Sequence, residues 1–169
     1  LKRSLESDGH EVYSLVRREP RGSGEICWSP DGEGLDTHGL KVDAVVHLAG
    51  ESIAEGRWNE AKKARIRDSR VVGTRALCEA LACMAEKPKV VVCASAIGYY
   101  GDRGDAVLTE SASSGDGFLP DVCRQWEDAA EPARAAGIRV VSLRIGVVLS
   151  KDGGALSKML LPFRLGVGG

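Results

Sequence analysis

Four short runs of aliphatic and β-branched residues set the tightest limit on what this chain can fold into. They are residues 11–17 (EVYSLVR), 44–49 (AVVHLA), 90–94 (VVVCA) and 140–147 (VVSLRIGV). Each is close to continuously apolar, without a clean alternation of apolar and polar positions. A strand of that kind has both faces covered, as in a parallel sheet between helices. A further short strand is expected around residues 25–28. The segments between the runs read as helices. The clearest covers about 59–85, where Ile66, Gly73, Leu77, Leu81 and Met84 recur on one face. Gly73 in that face implies that the helix backbone lies close to the sheet. A second helix is expected over about 120–136, stopped by Gly137. The amino end, LKRSLESDGHEV, reads as a helix in mid-course.

Strands alternating with helices specify parallel βαβ units and a Rossmann-like, doubly wound α/β sheet with helices on both faces. The 169 residues suit one such domain, with 43% hydrophobic and 28% charged residues. A net charge of −1 gives no reason to expect nucleic acid or an anionic membrane. No apolar run approaches the ~20 residues that span a bilayer, and no signal peptide is visible. The cysteines Cys27, Cys78, Cys83, Cys93 and Cys123 are odd in number and include no Cys-x-x-Cys pair. They read as reduced, buried thiols in a cytoplasmic protein, and no metal site is expected. Residues 21–24 and 32–39 read as loops.

Ligands of doubly wound sheets sit beyond the carboxyl ends of the strands. That rule selects residues 17–18, 50–52, 95–102 and 146–150 before any motif is consulted. Arg17 and Arg18 close the first apolar run, where an arginine suits a ribose 2′-phosphate better than a bare hydroxyl. His47-Leu48-Ala49-Gly50-Glu51 ends the next run in small residues, which lets backbone approach a ligand. His47 itself reads as a core residue, and His10 and His38 as loop residues. Ser95, Tyr99 and Tyr100 follow the third run and bring hydroxyls that can hold a carbonyl oxygen or exchange its proton. Arg65 and Arg70 on the long helix are within reach of a phosphate, whereas Lys62 and Lys63 read as an exposed charged face.

Several of these segments resemble one superfamily. HLAGE, SRVVGT, ASAIGYYG and LRIGVVLS stand in the order found in extended short-chain dehydrogenases/reductases of the NAD-dependent epimerase/dehydratase type. RWNEAKKARIRDSR and GGALSKMLLPFRLGVGG resemble more narrowly the YfcH-type family of sugar-nucleotide epimerase relatives. The resemblance covers nearly the whole chain. It implies an NADP(H)-binding Rossmann-like domain over residues 1–150, and the start of a substrate-domain segment over 151–169. By resemblance, Arg17 and Arg18 match the 2′-phosphate end of the cofactor. Leu48 and Ala49 match the adenine–ribose side, Arg65 and Arg70 match helix positions near it, and Gly146 matches the turn toward the nicotinamide.

The implied activity is an NADP(H)-dependent oxidoreductase or epimerase. Its substrate would be a small carbonyl or sugar-nucleotide-like molecule, with Ser95, Tyr99 and Tyr100 catalytic. A homodimer is compatible with the family. Two departures stand out. The family opens with a strand and a glycine-rich pyrophosphate loop that this sequence does not contain, so the sheet is expected to lack its first, central strand and to be poorly stable alone. The superfamily Tyr-x-x-x-Lys is also absent. Aligning Glu127 with the acid usual at its position puts Leu119 and Cys123 where Tyr and Lys belong. Arg103 is the expected source of a cation beside Tyr99 or Tyr100. The missing pair keeps a second reading open, a non-catalytic NADP(H)-binding regulatory protein linked to cell division. A methyltransferase on a similar sheet would leave the Arg17–Arg18 pair unexplained.

Overall fold

The computed structural model describes residues 1–30, 35, 39–151 and 153–167; the expectations for His38 and for most of the 32–39 loop fall outside them. The element order is α1 (Lys2–Ser7), β1 (Ser14–Val16), β2 (Glu25–Cys27), β3 (Ala44–His47), α2 (Glu60–Ala82), β4 (Val90–Ala96), α3 (Phe118–Asp128), α4 (Glu131–Ala135), β5 (Arg139–Ile145) and α5 (Gly154–Arg164). A single 3-10 turn, Ile97–Tyr100, continues directly from β4. Every strand pairing is parallel.

The strands form two groups, β1-β2 and β3-β4-β5. In the doubly wound order 3-2-1-4-5-6 one strand lies between such groups. Among the described residues no ladder bond joins them. The register aligns Val45, Val91 and Val140 across the larger sheet, and His47, Cys93 and Ser142 two residues on. On this face Val91 and Cys93 pack with Leu77, Cys78 and Leu81 of α2, and with Ala133 of α4. Trp28, just past β2, joins the same core, so α2 ties the two strand groups together. The opposite face of the larger sheet is more open: Val46 and Leu143 keep 43% and 42% of their surface in solvent.

Local chemistry accounts for the helix ends. Asn59 caps α2 by accepting from the Lys62 backbone N–H at 2.8 Å, and Glu60 places an acid in the first turn. Ile66, Leu77, Leu81 and Met84 are buried as expected. Gly73 faces Pro30, however, where an added Cβ would make ordinary contact at 3.7 Å, so its role is not a close approach to the sheet. The expected 120–136 helix is two helices. Pro132 stands in the first turn of α4, and a residue without a backbone N–H starts a helix more readily than it continues one. Gly137 does end α4, at φ +83°.

The buried-thiol expectation holds for Cys78, Cys93 and Cys123 but not for Cys27 and Cys83, which are exposed. Cys27 ends the edge strand β2 and Cys83 is the C-cap of α2.

Candidate active site and cofactor cleft

The β4–β5 register sets Ser95 opposite Arg144, and α3 brings Glu127 to both. Ser95 Oγ donates to Glu127 Oε1 at 2.6 Å. Arg144 Nε donates to the same oxygen at 2.9 Å, and Nη2 to Oε2 at 3.0 Å. This two-pronged ion pair is largely shielded, its side chains exposing 15% (Glu127) and 18% (Arg144) of their surface. Burial pushes the Glu127 carboxyl upward, but the Arg144 and Ser95 hydrogen bonds outweigh it and the carboxyl ends below its ordinary value. The bond to Glu127 raises the Arg144 guanidinium further above its usual range.

The rest of Arg144 is held by the tyrosines. Nη1 donates to the Tyr100 hydroxyl oxygen and to the Glu110 carbonyl, both at 3.0 Å. The guanidinium carbon lies 3.4 Å from the centre of the Tyr99 ring, a stacked cation–π contact. The two tyrosine rings meet edge to face at 5.3 Å. A cavity of about 510 Å³ opens here, lined by Tyr100, Glu110, Glu127, Arg144 and their β5 neighbours. Gly115 keeps this loop in place. Its N–H donates to the Tyr99 carbonyl at 2.9 Å, and a Cβ there would lie 2.4 Å from the Tyr100 carbonyl oxygen.

Ser95, Tyr99 and Tyr100, which follow one apolar run in the sequence, also come together in the structure around Glu127 and Arg144. Ser95 differs in detail: it lies inside β4, which runs on to Ala96, and its own proton is committed to Glu127. Arg103 is not the cation beside the tyrosines, since it reaches Ser113. Arg144 takes that place, and its signal was a single charge inside an otherwise apolar run. Leu119 and Cys123, at the Tyr and Lys positions of the superfamily pattern, both lie against Gly98 of the 3-10 turn. Burial raises the Cys123 thiol, so neither residue offers an ionisable group at neutral pH.

A second cavity of about 430 Å³ lies between the end of β1 and α2, lined by Arg17, Pro30, Glu51, Arg65, Asp68, Ser69, Val72 and Gly73. Arg17 has no hydrogen bond or ion pair to any described residue. Arg18 is engaged instead by a two-pronged pair with Glu25, both bonds at 2.7 Å, which draws the Glu25 carboxyl down to about 2. Arg65 is exposed, 3.7 Å from Glu51.

Arg70 is turned inward. It donates to the Glu51 and Ile66 carbonyls, lies over the Trp126 ring at 5.0 Å and packs on Gly50, where an added Cβ would be 3.1 Å from its guanidinium carbon. Lys62 departs from the expected exposed face. Its side chain exposes only 6% of its surface and binds Glu51 at 2.7 Å, because the loop after β3 folds back over the first turn of α2. Leu48, Ala49 and Gly146 are exposed at strand ends, and Gly146 lies over Ile97.

Residues 1–121 match the NAD dependent epimerase/dehydratase family. The chain belongs to that family. An epimerase family protein of Mycobacterium bovis is 44% identical over 99% of this chain and 56% of its own length. The human epimerase family protein SDR39U1 is 39% identical over all of this chain and 57% of its own. The chain thus spans about half the length of the curated relatives it matches. Among solved structures, human SDR39U1 with NADPH superposes with a TM-score of 0.86 at 36% identity, over 99% of this chain and 56% of that one. A nucleoside-diphosphate sugar epimerase from Corynebacterium glutamicum gives 0.79 at 43% identity, over 94% and 33%. These family members share the doubly wound architecture built above.

Proposed function

We propose that this chain is the nucleotide-binding part of an NADP(H)-dependent oxidoreductase or epimerase acting on a small carbonyl or sugar-nucleotide-like substrate. The observation that carries the reading is the grip of Arg144 on the Tyr100 oxygen at the wall of the larger cavity. Because that oxygen accepts from Arg144, the Tyr100 O–H is free to point at a substrate oxygen. Glu127, itself held by Ser95, and the Tyr99 ring hold Arg144 in place from its other sides. When bound, the nicotinamide supplies hydride transfer; the chain's own task is to fix the substrate oxygen and its proton.

The second cavity fits the phosphorylated ribose end of such a cofactor. Arg17 is an uncommitted cation for the phosphate, with Arg65 beside it, while Leu48 and Ala49 offer an open apolar edge. Residues 1–150 then form the cofactor-binding unit and 151–169 begin the substrate-binding segment. Support comes from the family membership and from the NADPH in the human SDR39U1 structure. The test is calorimetric titration of the full-length protein with NADP+ and NAD+, followed by NADPH oxidation across a panel of carbonyl and sugar-nucleotide substrates. Preferential NADP+ binding, with turnover that Y100F abolishes, is expected. NADP+ binding without turnover of any substrate would favour the non-catalytic regulatory reading, and binding of neither nucleotide would overturn the proposal.

A further inference from the structure

Three buried polar side chains from three elements meet between β3, α2 and α3. Thr74 on α2 is fully buried, His47 ends β3, and Trp126 lies on α3. Trp126 Nε1 is 2.9 Å from Thr74 Oγ1, and His47 Nε2 is 3.1 Å from the same oxygen. An indole N–H only donates, so Thr74 Oγ1 accepts from Trp126. The hydroxyl then has one proton to place, and among the described residues its other side-chain partner is the His47 nitrogen. Donated there, that proton requires an unprotonated Nε2. A chain of donors running Trp126 to Thr74 to His47 would leave the imidazole proton on Nδ1. Burial also lowers the His47 pKa, which favours the neutral ring.

The three residues adjoin the functional segments. His47 directly precedes Leu48, Ala49 and Gly50, the open edge of the cofactor cleft. Trp126 directly precedes Glu127, which holds Ser95 and Arg144. Arg70, one turn before Thr74 on the same helix, spans the same two segments, with Gly50 on one side and the Trp126 ring on the other. We propose that Thr74 is a positioning residue that fixes the cofactor-binding loop after β3 to the Glu127-bearing helix, by a directional hydrogen-bond chain that holds His47 as its Nδ1–H tautomer. The inference rests on the proposed cofactor site for its functional consequence but not for the tautomer.

The experiment uses the full-length protein, with NADPH as the probe. In the wild type, nitrogen-15 NMR of the His47 imidazole is expected to show a neutral ring protonated on Nδ1 between pH 6 and 8, conditions that span the ordinary titration range of about 6.5. The near-isosteric T74V removes the hydroxyl and is expected to weaken NADPH binding by about tenfold, the scale of one buried hydrogen bond. T74S should restore both affinity and tautomer, an outcome that simple loss of packing would not produce. An Nε2–H or charged His47 in the wild type overturns the directional chain. A folded T74V that binds NADPH as tightly as the wild type overturns the positioning role. If the wild type itself binds no NADPH, the cofactor reading fails, while the tautomer measurement still decides the chain.

Discussion

Replacing Glu127 by glutamine tests whether charge, beyond shape, holds the Ser95–Glu127–Arg144 group. The wild-type carboxylate accepts from Ser95 Oγ, Arg144 Nε and Arg144 Nη2. In E127Q one carboxylate oxygen becomes an amide NH2. Both oxygens accept from Arg144, so in either orientation the NH2 opposes an Arg144 N–H and the guanidinium loses its counter-charge. A hydrogen bond to a charged group contributes about 1.5–3 kcal/mol, and breaking a fully buried pair costs about 3–5 kcal/mol. Slight solvent access and the remaining bonds of Arg144 to Tyr100 and Glu110 bring the expected loss to about 2–3 kcal/mol at pH 7. At roughly 2–4 °C per kcal/mol for a chain of this size, the melting temperature falls by roughly 4–12 °C. The sign of the pH dependence follows from the lowered Glu127 pKa. Between the folded value and the ordinary value of 4.5 the unfolded chain binds a proton that the folded chain does not, so wild-type stability rises with pH there. The contribution is complete above the ordinary value and disappears as pH falls through the folded one. The gap between wild type and E127Q in thermal melts should therefore narrow as pH falls from 7 to 3. A gap as wide at pH 3 as at pH 7, or one under about 0.5 kcal/mol at pH 7, would refute the reasoning.

The remaining expectations concern single residues. G115A should destabilise by about 2–3 kcal/mol, since its Cβ would meet the Tyr100 carbonyl at 2.4 Å; G22A, where nothing lies within 4 Å, should change a thermal melt by less than about 1 kcal/mol and serves as the control. By calorimetry R17A should weaken NADP+ about 10–100-fold with little effect on NAD+, and R18A should do less, because Arg18 is already paired with Glu25. R18A should also return the Glu25 carboxyl from about 2 toward its ordinary value of 4.5, read by carbon-13 NMR titration. R144K keeps the charge but not the planar fork; it should destabilise nearly as much as R144M, and a fully stable R144K would show that charge alone suffices.

The strands and the α2 face were legible because β-branched runs and 3.6-residue spacing act locally. The split between α3 and α4 was legible too, in Pro132, but the apolar periodicity on either side masked it. Site contacts were less so. Ser95, Tyr99 and Tyr100 are neighbours in the chain, and their shared location followed from one strand end. Arg144 is 44 residues from Tyr100, and only the parallel register of β4 and β5 places it there. Arg103 is nearby in sequence, but the turn after Gly101 carries it toward Ser113. Lys62 likewise looks solvated on its own helix, and burial comes from Glu51, eleven residues earlier. Sequence patterns report which face an element buries, whereas ion pairs between elements depend on register and on loop paths, which no local pattern encodes.

The superfamily pattern places a lysine one helical turn beyond its tyrosine, and here Cys123 holds that position on α3. The cation reaches the site from β5 instead, and its chemistry differs from that of a lysine. Of the five guanidinium N–H groups, Nε–H and one on Nη2 meet Glu127, while both on Nη1 meet Tyr100 and Glu110. One N–H on Nη2 is left without a described partner, and the Tyr99 ring covers one face of the plane. An arginine so committed has little capacity to grip a carboxylate or phosphate in the cavity, and Glu127 offsets its charge. It instead fixes the direction of one neutral hydroxyl. Charge separates the two cavities: Arg17, without a partner among the described residues, lies at the cleft proposed for the phosphate, and Arg144, offset by Glu127, lies at the cavity proposed for the reacting carbonyl or alcohol oxygen. A substrate with its own anionic group must hold that group on residues other than Arg144.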